Sequence, residues 1–125
     1  MTLLSLAKTG YADCSTSTRT ARGVEYDLIA LVTHRLRDAA RQGKTDYPAF
    51  AKAIAENRRL WTVLASSVSD AENGLPNELR SRIFYLAEFT EVHSRRVLTG
   101  DANVAPLLEI NTAMLRGLAT VELVG

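Results

Sequence analysis

The side chains able to do chemistry are few and scattered. In 125 residues there are two histidines, His34 and His93, and one cysteine, Cys14. Zinc takes four ligands, or three and a water, from nitrogen, sulfur and oxygen donors. One thiol and two distant imidazoles do not supply that set, so no metal and no cofactor is expected. His34 with Asp38, four residues on, has the spacing of a base and its orienting carboxylate on one helix face. A base also needs a nucleophile and a pocket, and the pair reads more simply as a surface contact. Cys14 has no His or Lys neighbour to favour its thiolate. The seven glycines occur singly, so no phosphate-cradling loop is present. The pattern is not that of an enzyme; it is that of a protein that handles another protein.

Polar residues on apolar stripes carry more information. Asn57, His93 and Asn111 each fall on the inner stripe of a different helical segment. One reading is a structural polar cluster, in which they hydrogen-bond each other or helix-end carbonyls and fix the register of the helices. Others are a polar spot in a partner groove, or positions at the bundle's edge that touch water. Trp61, beside Leu60 and one turn before Leu64, reads as core or as an interface anchor, a role large amphipathic rings often take. Tyr26, Phe84, Tyr85 and Phe89 are further partner-binding candidates. Phe84 and Tyr85 lie off the main stripe of their helix, which predicts partial exposure.

The elements that position these residues follow from a 3.6-residue apolar period. A first helix is expected from about Thr20 to Gln42, with Val24, Leu28, Leu31, Val32, Leu36 and Ala39 inward, Thr20 as N-cap and Gly43 as stop. A second runs from Tyr47 to Ser69, capped by Asp46, with Pro48 in its first turn, where its missing amide hydrogen matters little. Its stripe is Phe50, Ile54, Asn57, Trp61, Leu64 and Val68. After Asn73-Gly74, a third helix begins at Pro76 and runs to about Thr99, with Leu79, Ile83, Leu86, Thr90, His93 and Val97 inward. Gly100 stops it. Asn103 caps a fourth, whose inner face is Leu107, Ile110, Asn111, Met114, Leu115 and Leu118. The connections are short, so neighbouring helices should be antiparallel. The expected fold is all-α: a small antiparallel bundle of four main helices, with or without a short N-terminal helix built on Leu3, Leu4 and Leu6. Residues 1–20 form a flexible or docking segment, 21–119 the bundle and 120–125 a tail.

Composition limits the function classes. At 46% hydrophobic and 23% charged residues the chain is an ordinary soluble globular protein in make-up. Its net charge of +1 provides no basic field for gripping nucleic acid. Short pairs, Arg58-Arg59 and Arg95-Arg96, with Arg35, Arg37, Arg41 and Lys44, form either an RNA-facing patch or a solvated face. The near-zero charge favours the second, so a direct RNA contact is not expected. No apolar run approaches the roughly 20 residues of a membrane helix, the start lacks a basic signal-peptide region, and the lone cysteine suits a reducing compartment. The protein is expected in the cytoplasm, without membrane insertion.

Over residues 22–118 the chain resembles the FlaF family of flagellar biosynthesis regulators. The resemblance rests on an ordered set: Glu25-Tyr26, Asn57-Arg58-Arg59-Leu60-Trp61, Asn73-Gly74-Leu75-Pro76 with Leu79-Arg80, His93, and Glu109-Ile110-Asn111. Residues 1–20 match no part of it. The resemblance implies an all-α cytoplasmic helper for flagellin synthesis and export, acting as a secretion chaperone. Flagellin is the implied partner, and FlbT, a repressor of flagellin translation, a second candidate partner. The alternative is a post-transcriptional regulator that acts on flagellin mRNA directly or through FlbT. An amphipathic flagellin helix lying in an apolar groove is the docking mode such a bundle suits.

Overall fold

Four helices occupy the four periodic segments: α1 (Ala21–Arg41), α2 (Tyr47–Ser69), α3 (Asn77–Leu98) and α4 (Ala105–Val124). The computed structural model describes the backbone of residues 21–69 and 74–124, and no strand occurs among them. Leu3, Leu4, Leu6, Cys14, the Thr20 cap and Asn73 lie outside the described residues.

The helix ends show why the chain turns where it does. The Asp46 carboxylate accepts the Ala49 amide hydrogen at 3.2 Å, the N-cap bond expected for α2. Pro76 stands just outside α3 rather than within it. Its backbone is extended (φ −59°, ψ 147°), and its carbonyl accepts the Arg80 amide at 3.0 Å. At the far end of α3, Gly100 takes the left-handed conformation at φ 85°. The Asp101 amide then reaches Arg96 O at 2.8 Å and the Gly100 amide reaches Val97 O at 3.1 Å. These paired bonds satisfy carbonyls a helix end otherwise leaves open. Gly43 ends α1 differently: it has no positive φ, and the chain leaves through turns onto Ala40 O and Gln42 O. Asn103 acts one residue ahead of the cap position, its side-chain oxygen accepting the Ala105 amide at 2.7 Å. The backbone of α4 continues to Val124, past residue 119 where a tail was expected. Beyond Gly117 only helix-compatible residues follow, and a single glycine weakens a helix without breaking it.

The helices pack as an up-down-up-down bundle. Antiparallel pairing of α2 and α3 is marked by Tyr47 O–H to Leu98 O at 2.9 Å, the Arg58–Glu91 pair, and Arg80 Nε–H to Val68 O at 2.7 Å. Helix α1 packs against both α2 and α4, whereas α3 and α4 scarcely approach one another. The ring of four is therefore open on one side. Ile29, Val32, Leu60, Trp61, Leu64, Val68 and Ile83 make one core cluster, and Leu36, Ala53, Ile54, Val97 and Leu107 the other. The inward face of α1 is rotated from the expected one: Ile29 and Thr33 are buried while Leu31 is exposed. On α3, Ser94 is buried and Leu79 is exposed.

Arg58 and Glu91 clamp α2 to α3 with two hydrogen bonds, Nε to Oε2 at 3.0 Å and Nη2 to Oε1. Arg95 adds a longer contact to the same carboxylate at 3.4 Å. The Arg58 hydrogen bonds hold the Glu91 carboxyl below the usual carboxylate range; partial burial opposes them, and the charges of Arg58 and Arg95 assist. A lowered folded-state value means that the stabilisation is present above the unfolded value, about 4.3, and fades as pH drops through the folded one. Both side chains are about one-third exposed, at 33% and 37%, so solvent screens the pair. Glu91→Gln should lower stability at pH 7 by about 0.5–1 kcal/mol. In urea unfolding from pH 7 to pH 3, that difference from wild type should shrink below about pH 4.3; a difference independent of pH would show that the ionised pair is not its source.

Candidate functional site

Trp61 is 1% exposed, so it is not a surface anchor. Its position on α2 points the indole across the bundle, where Nε1–H donates to Asn111 Oδ1 on α4 at 2.8 Å. The indole nitrogen is a donor only, so it fixes the orientation of the Asn111 amide. Asn111 Nδ2 must then donate, and it does so twice, to Asn57 Oδ1 at 2.7 Å and to Thr33 Oγ1 at 3.1 Å. The Thr33 hydroxyl passes its own hydrogen to Ile29 O at 2.6 Å, closing one turn of α1. Thr33, Asn57, Trp61 and Asn111 are all buried. Three helices thus meet at one amide. The sequence reading missed Thr33, because a threonine beside polar residues on an amphipathic helix carries no sign that an amide from another helix will reach it.

His93 does not join this node. It lies half-buried on the flank of α3, its ring stacked on Phe89 with centroids 5.1 Å apart and planes at 14°. Its Nε2 lies 2.7 Å from Asn103 O, ahead of α4. A carbonyl can only accept, so Nε2 carries the hydrogen. The correction has a helical cause: position 93 is rotated away from the inward positions 90, 94 and 97, which are buried. The inward hydroxyls of Thr90 and Ser94 find no hydrogen-bond partner, and neither does Asn57 Nδ2. Helix α3 thus adds nothing to the node.

The open side is built from the other flanks of α3 and α4. On α4, Thr112, Leu115 and Arg116 turn toward α1, where with Tyr26, Thr33 and Arg37 they line a shallow cavity of about 520 Å³. Ile110 and Met114 lie on the opposite flank, with Ala113 and Gly117 farther round toward solvent. On α3, Arg80 and Glu91 bond α2, which leaves Leu86, Phe89 and His93 toward α4. Leu86, Ile110 and Met114 are half-buried against the core, while Ala113 and Gly117 are exposed. A Cβ at Gly117 would meet nothing within 4 Å. Leu86, Phe89, Ile110 and Met114 make this side of the bundle apolar, with the small exposed residues Ala113 and Gly117 at its margin.

The remaining candidates fall outside this gap. Tyr26 is on the α1–α4 cavity, and Phe84 and Tyr85 stand exposed on α3. His34 and Asp38 form an exposed pair at 3.1 Å. Half of the candidate basic patch is paired with acids: Arg35 with Glu56, Arg41 with Asp38, and Arg58 and Arg95 with Glu91. No described helix is long and apolar enough to cross a membrane, and no three metal-binding side chains gather among the described residues.

The sequence profile of the family described as flagellar protein FlaF matches residues 7–118. The match starts well ahead of residue 22, where the sequence resemblance begins. No curated protein and no solved structure shows a match to the chain.

Replacing Asn111 by Ala leaves the Trp61 indole N–H and the Asn57 carbonyl buried without partners. Each such group costs about 1–3 kcal/mol, so Asn111→Ala should lose about 2–4 kcal/mol in urea unfolding. Thr33→Val keeps the shape and removes only the weaker branch, with an expected loss of about 0.5–1.5 kcal/mol. Equal losses at the two positions would contradict Asn111 as the hub.

Proposed function

The chain belongs to the FlaF family of flagellar proteins, and from that premise we propose that it holds an amphipathic helix of flagellin, acting as a helper for flagellin synthesis and export in the cytoplasm. The observation that carries this reading is the open side between α3 and α4. The α3–α4 contact is the weakest in the ring, and a helix lying along the outside of that seam would cover Leu86, Phe89, Ile110 and Met114 with its apolar face. Helix-in-groove binding of this kind needs apolar anchors and close approach more than charge.

Gly117 supports the same reading. A glycine inside a helix costs about 0.5–1 kcal/mol relative to alanine, and here no neighbour needs its small size. Together with Ala113 it leaves α4 a smooth wall on which a docking helix can lie close. The role is binding rather than catalysis. The pairing of Arg35, Arg41, Arg58 and Arg95 with acids takes four cations out of the candidate basic patch and weighs against RNA as the primary ligand, since phosphate contacts need free cations.

Calorimetric titration of the protein with purified flagellin, at low and high salt, tests this directly. Binding should be measurable and change little with salt. Gly117→Ala should raise unfolding stability by about 0.5–1 kcal/mol while weakening flagellin binding. Ala113→Arg should keep the fold and weaken binding at least about tenfold, the effect of about 1.4 kcal/mol. Absence of binding, or full binding by Ala113→Arg, would discard the groove and leave a role through flagellin mRNA or FlbT.

A further inference from the structure

The outward face of α3 carries a second pattern, distinct from the gap except at Phe89. Tyr85 is 67% exposed, Val92 52% and Phe84 43%. Exposed singly, such residues need no account. Tyr85, Phe89 and Val92, however, fall at successive steps of four and three, the spacing of a helix–helix seam. Continued in both directions at that alternation, the seam reads Glu78, Arg82, Tyr85, Phe89, Val92, Arg96. Its middle is apolar and its ends are charged.

The order of these residues makes the seam complementary to itself. Steps of four, three, four, three and four read the same in both directions, so an antiparallel copy keeps register with the original. In that register Tyr85 meets Phe89 of the other copy, twice about the two-fold axis. Arg82 lies over Val92, its aliphatic stem on the valine. Glu78, in the first turn of α3, meets Arg96, in the last turn. Both ends of the seam then carry opposite charges, whereas a parallel copy would set Glu78 against Glu78 and Arg96 against Arg96. A two-fold interface requires one patch to match itself in this way.

We infer that α3 is the contact of a homodimer in which a second copy of this chain packs antiparallel along Glu78, Arg82, Tyr85, Phe89, Val92 and Arg96. The seam shares Phe89 with the groove proposed for flagellin, so a second copy and a docked flagellin helix would compete for that side chain.

Sedimentation equilibrium of the full chain over a range of concentrations, with helix content and thermal unfolding checked for each variant, tests it. The mass should rise from monomer to dimer with concentration. Glu78→Arg places like charges at both ends of the seam and should raise the dimer Kd about tenfold; Arg96→Glu should do the same. The double variant, Glu78→Arg with Arg96→Glu, restores opposite charges across the axis and should recover dimerisation to near the wild-type Kd. Tyr85→Ser, on an exposed position, should weaken the dimer with the fold intact. A chain that stays monomeric throughout would overturn the inference. So would a dimer that Tyr85→Ser leaves unchanged, or a double variant as weak as either single one.

Discussion

A tryptophan indole can donate one hydrogen bond and accept none, and the centre of this bundle is arranged around that restriction. Once Trp61 donates to Asn111, the orientation of the Asn111 amide is settled. Its nitrogen must then find acceptors on two other helices. Asn57 supplies one from α2 and Thr33 the other from α1. An apolar contact can slide by a turn at small cost, whereas these bonds exist in one register only. The node therefore sets the relative positions of α1, α2 and α4, and the surrounding aliphatic side chains supply most of the burial.

Much of this was legible in the chain, for reasons that differ by element. The α2 stripe was readable because Ile54, Asn57, Trp61, Leu64 and Val68 sit on one face with no competing apolar face, and all five are buried. The asparagines at 57 and 111 stood out as polar residues among apolar ones. Helix α1 was harder: Leu28 and Leu31 suggest one inward face and Ile29 with Val32 another, and α4 selected the second. On α3 the sequence offers His93 as the natural polar member of the stripe. Ser94, one residue on, is the buried one, because the α2 contact fixes the rotation of α3 through Arg58–Glu91 and Arg80.

The gap between α3 and α4 had no signature of its own in the sequence. Leu86, Ile110 and Met114 read as ordinary core positions, and nothing local tells that the helices bearing them stand apart. Residues 120–125 read as a tail, yet the helix runs on to Val124. Spacing within a helix reports which face is apolar; it does not report how far away the next helix lies. The family resemblance reached the flagellar system by another route, through ordered residues that include Asn57, Trp61 and Asn111, the same side chains that build the node.

Among the described residues, buried polar atoms on Asn57, Thr90 and Ser94 are left without partners, and two of these three residues belong to α3. Helices α1, α2 and α4 share a hydrogen-bonded centre. Helix α3 has two idle hydroxyls on its inward face and makes its polar bonds at the rim, with Tyr47 and Arg58 of α2 and through its own Arg80 and His93 to Val68 O and Asn103 O. Rim bonds exchange readily with water, while the central ones must be broken in the dry interior. Helix α3 is thus held to the bundle by apolar packing, most extensively on α2, and by rim bonds that water can replace.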